Sequence, residues 1–110
     1  MYHLEYLLAN SHLPGPRGNL ELLYAFTKTA DQATVDSCLE CIREDAANSP
    51  QEFAGMCGVL GYAHLHRDDP PQVFAFLRPF ASHASWRIRE AVAMAIQEIG
   101  PKFPRNYTKV

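Results

Sequence analysis

Long apolar runs are missing from this chain. Nowhere do about 18 hydrophobic residues follow one another, so no segment reads as a membrane-spanning helix. The start, Met1-Tyr2-His3-Leu4-Glu5, lacks the positive charge and apolar stretch of a secretory signal. Cysteine is scarce and odd in number, three in 110 residues, which points to reduced thiols rather than a disulfide framework. These absences make a cytoplasmic protein without membrane contact the expectation. Apolar/polar alternation is missing as well, so no strand is expected. No phosphate loop, nucleophile elbow or Ser/His/Asp set occurs, and no catalytic residue, cofactor or small-molecule substrate is assigned.

What is present is enough for one domain with its own core: 47% of the residues are hydrophobic and 20% charged, which are globular values. The formal net charge of −2 hides an asymmetry. Residues 1–77 carry four Lys/Arg against ten Asp/Glu, a balance of −6, whereas residues 78–110 carry six against two, a balance of +4. Such polarity steers association with an anionic partner or joins opposite ends of two copies.

The apolar residues repeat. Val35, Cys38, Leu39 and Ile42 recur 35 places on as Pro70, Val73, Phe74 and Leu77, and Phe53, Met56, Cys57 and Leu60 as Ile88, Ala91, Val92 and Ala95. Two helical segments per period are the mark of stacked α-hairpins. The expected fold is therefore all-α, an α-α superhelix of about three antiparallel helix pairs in one domain over 1–100. The pairs fall at about 1–29, 31–66 and 69–100, followed by a polar tail over 101–110, with helices two, four and six in one layer.

Local signals place the helices. The first runs from Tyr2 to Ser11 on Leu4, Leu7 and Leu8, and the two prolines and two glycines of 12–18 break it. Asn19 caps a second, to about Thr29, that buries Leu20, Leu23 and Tyr24; Asp31 caps a third, to about Asp45. Ser49-Pro50-Gln51-Glu52 is a capping box opening the fourth, with Glu52 bonding back to the amide of Ser49. From Phe53 to His66 no residue has a fixed charge and no polar face exists, so this helix is expected at the centre with protein on all sides. Gly55, Gly58 and Gly61 mark a groove for close helix approach. Asp69 caps the fifth helix, in which Pro79 predicts a kink, and Ser85 caps the sixth, with Ile88, Ala91, Val92, Ala95, Ile96 and Ile99 on its apolar face and Gly100-Pro101 as its stop.

Residues 84–100, Ala-Ser-Trp-Arg-Ile-Arg-Glu-Ala-Val-Ala-Met-Ala-Ile-Gln-Glu-Ile-Gly, resemble the second helix of a HEAT repeat, with Ile88-Arg89 as its aliphatic-Arg pair. The proline inside helix five is similar to the bend of the first helix in such repeats. Within that group the Trp-Arg-Ile-Arg-Glu-Ala-Val-Ala run is most similar to HEAT-like DNA alkylation repair proteins. That resemblance implies a concave basic surface that holds damaged DNA by its backbone and excises an alkylated base with aromatic side chains and a carboxylate. Those glycosylases use more helices than three hairpins supply, and no Asp here matches their catalytic position.

Two function classes follow: a non-catalytic repeat module that binds a protein partner or a second copy of itself, and a DNA-binding protein or fragment related to the repair glycosylases. Candidate binding residues are Arg78, Trp86, Arg87, Arg89, Lys102 and Arg105 in the basic part of the chain. The favoured reading of Arg89 is as the partner of an acid in the preceding repeat, and that of Trp86 as a packing residue. On the helical wheel Arg87 faces outward with Glu90, Met94, Gln97 and Glu98 as a polar cap. Cys38-Leu39-Glu40-Cys41 lies mid-helix and lacks two further ligands, so its thiols read as buried hydrophobes. His64 and His66 diverge by about 200° on their helix and cannot share an ion, and His3, His12 and His83 have no partner at ligand spacing; no metal is expected.

Overall fold

The computed structural model describes residues 2–99. Six α-helices follow one another: α1 (Leu4–Ala9), α2 (Leu20–Thr29), α3 (Gln32–Leu39), α4 (Pro50–Leu65), α5 (Pro70–Leu77) and α6 (Trp86–Ile99). A 3-10 turn, Arg78–Ser82, precedes α6, and no strand occurs among the described residues. The helix stop at Gly100-Pro101 and the polar tail lie outside those residues.

Each expected cap forms. Asn19, Asp31, Ser49 and Asp69 accept from the amides of Leu22, Thr34, Glu52 and Gln72, and Ser85 Oγ accepts from the Ile88 amide at 3.2 Å. The caps also show that the repeat is not a uniform 35 residues, because Asp69 follows Asp31 by 38 positions and Ser85 follows Ser49 by 36.

Three boundaries differ from the sequence expectation. Helix α1 is shorter at both ends than Tyr2–Ser11. Helix α3 stops at Leu39 rather than near Asp45, leaving through two tight i→i+3 bonds, Cys41 to Cys38 and Ile42 to Leu39. Continuing it would place Glu40, Glu44 and Asp45 at the negative end of the helix dipole, where carboxylates are unfavourable. Pro79 does not kink a continuous helix: α5 ends at Leu77, and the proline sits in the first turn of the 3-10 segment, where its missing N–H costs nothing.

Helix α4 is the centre. Every residue from Glu52 to Gly61 is buried, as is Ala63, and α6, α3, α2 and α1 all pack on it, with α5 in lesser contact. Helix α4 contacts both α2 and α6. The outer helices bury their apolar faces mainly on α4 rather than on their hairpin mates; only α3 and α4 form a closely packed pair of chain neighbours. Helix α5 buries Val73 and Leu77 in the core and adds aromatic contacts, with the Phe76 ring stacked on Tyr62 at 3.7 Å and Phe80 edge-on to Phe76 at 5.3 Å.

The α4 glycines seat α3. A Cβ at Gly58 would fall 2.8 Å from Leu39 Cδ2 and 3.0 Å from the Leu39 backbone nitrogen, and one at Gly61 would meet Val35 Cγ2 at 2.8 Å. At Gly55 the nearest atoms are side-chain carbons, Ile42 Cγ1 at 2.8 Å and Ile88 Cδ1 at 3.0 Å. Gly→Ala in a helix gains about 1 kcal/mol of intrinsic propensity, while overpacking a rigid contact costs about 1–3 kcal/mol. Gly58→Ala, opposed by backbone, is therefore expected to lower the urea midpoint, and Gly55→Ala, opposed by movable side-chain carbons, to lower it less. Equal midpoints for the two variants would refute this account of the groove.

Candidate functional site: a cleft beside α6 braced by a buried ion pair

At the N-terminal ends of α4 and α6 two charged side chains lie inside the protein. Glu52 and Arg87 are both almost completely buried, and Arg87 Nη1 donates to Glu52 Oε1 at 2.9 Å. The same oxygen accepts from the Asn48 amide at 2.9 Å, and Glu52 Oε2 accepts from the Ser85 hydroxyl. Glu52 thus completes its capping box one residue earlier than expected, on Asn48 rather than Ser49, and Asn48 reaches this place in a left-handed conformation that asparagine tolerates. Arg87 Nη2 donates to the carbonyl of Gly15 at 3.3 Å, and the Gly15 amide donates to Asn48 Oδ1 at 3.0 Å. Gly15 is required for close approach, since a Cβ there would lie 2.6 Å from the His12 carbonyl oxygen. No buried side-chain N or O lacks a hydrogen bond among the described residues.

This network fixes the walls of a cleft of about 370 Å³. One wall is the loop at Pro16–Gly18 with Leu20 and Tyr24 of α2; the other is Trp86, Glu90, Met94 and Gln97 along α6, with Met56 at the floor. Trp86 is 54% exposed and Tyr24 48%, so both present aromatic surface to solvent. The Arg87 guanidinium lies 4.7 Å from the Trp86 ring centroid, a cation–π contact that ties the exposed indole to the buried ion pair.

The candidate residues separate in space. Trp86 and Arg87 reach the cleft, but Arg87 lies within the core and not on the outward polar cap. The ion pair to the preceding repeat that Arg89 suggested is made by Arg87; Arg89 is exposed and donates to the carbonyls of His83 and Ala84. Arg78 stands on the 3-10 turn, 5.9 Å from the Phe74 ring centroid, and does not line the cleft. Lys102 and Arg105 lie outside the described residues. Trp86 is not a packing residue, Tyr24 is not on the buried face of α2, and Ile96, placed on the apolar face of α6, is 37% exposed. Sequence reasoning missed Leu20 and Tyr24 as one cleft wall; their i, i+4 spacing was the available signal, since Leu22, Leu23, Phe26 and Thr27 make the buried stripe.

The cysteines offer no reactive thiolate. Burial pushes the Cys38 thiol up to about 12 and Cys57 well above its ordinary range, and raises half-buried Cys41 as well. His64 and His66 diverge as expected, His64 Nδ1 to Glu98 on α6 at 3.0 Å and His66 Nε2 to Gln32 on α3 at 3.0 Å. No group of three metal-ligating side chains comes together among the described residues.

Three measurements check this arrangement: urea unfolding of variants, thiol reactivity, and stability as a function of pH. Removing one member of a buried ion pair costs about 3–5 kcal/mol, whereas replacing both with apolar groups costs much less than the sum. Glu52→Gln and Arg87→Met are each expected to destabilise strongly in urea, with the double variant well short of additive; additivity would show that the pair does not interact. In the native protein Cys41 is expected to react with Ellman's reagent before Cys38 and Cys57. The sign of the pH dependence follows from the raised thiols. Above about pH 8.5 the unfolded chain loses thiol protons that the native protein keeps, so stability falls with rising pH up to about 12, where Cys38 ionises.

Compared with known protein families, with curated proteins and with solved structures, the chain finds no match in any of the three, so its functional reading rests on the cleft and on the sequence pattern.

Proposed function

We propose that the protein is a non-catalytic, HEAT-like helical module that binds a protein partner through the cleft between the 16–24 segment and α6. The observation that carries this reading is Trp86, about half exposed yet held in place by the Arg87 guanidinium. An aromatic side chain that is fixed, solvent-facing and flanked by Met94 and Tyr24 is the kind of anchor that dominates protein interfaces, because little rotamer freedom is lost when it is covered. The rim, with Arg17, Glu90 and Gln97, is polar, as interface rims are. The HEAT-like reading is supported by the succession α2, α4, α6 and by α1 lying against α3.

The DNA-binding alternative draws less support from the same residues. Of the arginines that suggested a basic groove, Arg87 is neutralised by Glu52, Arg89 is engaged by two backbone carbonyls, and Arg78 stands apart from the cleft. Backbone-led DNA binding needs several free cations on one surface.

Panning a displayed peptide library against the full chain tests the proposal. Selected peptides are expected to bind the unaltered protein and to lose about tenfold or more, the cost of an interface anchor, on Trp86→Ala or Tyr24→Ala. Peptides that bind both variants as well as the parent would overturn the reading. Fluorescence anisotropy with duplex DNA is expected to show no salt-sensitive binding at low ionic strength; binding that weakens steeply with salt would favour the alternative.

A further inference from the structure

The two walls of the cleft carry opposite charges that the fold leaves unused. Arg17 on the loop wall and Glu90 on the α6 wall are both exposed, and neither makes a hydrogen bond or ion pair with any described residue, the other included. The remaining charged residue of the lining, Arg87, is already neutralised by Glu52. Between the charges the surface is apolar: Tyr24 and Trp86 stand half exposed, one on either wall, with Met56 at the floor. A ligand of one sign is attracted by one wall and repelled by the other. Only a ligand bearing both signs is attracted by both.

The α6 wall also sets a length. Trp86, Glu90, Met94 and Gln97 succeed one another at steps of four, four and three, one stripe about 16 Å long. An extended chain, rising about 3.3 Å per residue, covers that distance in about five residues. A helix of the same length, about 10–12 Å across, occupies on the order of 1,000 Å³, well beyond the 370 Å³ of the cleft. Extended segments draw affinity from main-chain hydrogen bonds, and on the facing wall the amides of Arg17 and Gly18 make none with a described residue. We propose that the cleft receives an extended segment of a protein partner, about five residues long, with a basic residue against Glu90, an acidic residue against Arg17 and an apolar side chain between Trp86 and Tyr24. The inference rests on reading the cleft as a docking surface and adds the chemistry of what docks. The apolar side chain supplies most of the affinity, and the two exposed charges select the partner and fix its orientation.

Fluorescein-labelled peptides selected from the displayed library on the full chain test the proposal by anisotropy. They are expected to carry a basic and an acidic residue beside an aliphatic or aromatic one. Arg17→Glu and Glu90→Arg change exposed residues without described partners, so both variants are expected to keep the parental urea midpoint. Each is expected to weaken a selected peptide about threefold to tenfold. On Arg17→Glu, replacing the peptide's acidic residue by lysine is expected to restore binding and replacing its basic residue by glutamate to fail. On Glu90→Arg the two replacements are expected to exchange roles. Peptides that depend on Trp86 yet bind both charge variants as tightly as the parent overturn the mixed-charge occupant and leave the docking reading standing. Tighter binding by a peptide locked as a helix than by its linear form overturns the extended conformation. Peptides indifferent to Trp86→Ala overturn the docking reading and this inference together.

Discussion

A carboxylate and a guanidinium held away from water need hydrogen-bond partners for their buried polar atoms, because the interior weakens solvation far more than it strengthens one contact. Glu52 and Arg87 meet that requirement by drawing in Asn48, Ser85 and Gly15, and each recruited residue belongs to a different joint of the fold. Asn48 precedes α4, Ser85 caps α6, and Gly15 lies in the loop between α1 and α2. The negative charge also sits at the N-terminal turn of α4, where the helix dipole favours it. One ion pair therefore sets the starting points of two helices and the path of a loop that has no regular structure of its own.

The other constraint is the shape of α4. A helix apolar on every side cannot choose a face, so it is satisfied only when neighbours surround it. Small residues let them come close: glycines at 55, 58 and 61 admit Ile42, Leu39 and Val35 to contact distance. The two constraints divide the labour. Apolar burial, which is non-directional, brings α1, α2, α3 and α6 onto α4, while the directional ion pair fixes how α6 and the 12–18 loop are placed along it.

Much of this was legible in the residues themselves. Five caps, the burial of α4 and the glycine groove follow from signals that act over one or two turns, where side chain and backbone are tied by local geometry. The end of α3 and the outcome at Pro79 were misjudged because propensity and periodicity say little about how a helix finishes. Arg87 and Tyr24 failed for a different reason. A helical wheel places Arg87 on an outward edge, and that edge is outward until a loop from residues 12–18, seventy positions away, closes over it. Tyr24 reads as core when counted with Leu20 and Leu23, yet it looks into a cleft whose other wall is on α6. Surfaces formed by segments distant in sequence leave no periodic trace in either one.

The placement of Trp86 joins the core to the surface. An indole alone on an exposed helix end samples several rotamers, and covering it on binding costs the freedom it loses. Here the ring rests beside a guanidinium whose nitrogens are held by Glu52 and Gly15. The entropy of ordering the aromatic has been met during folding, by interactions that also hold the helices together. A ligand that covers Trp86 would gain from this preorganisation, because less freedom remains to be lost on binding.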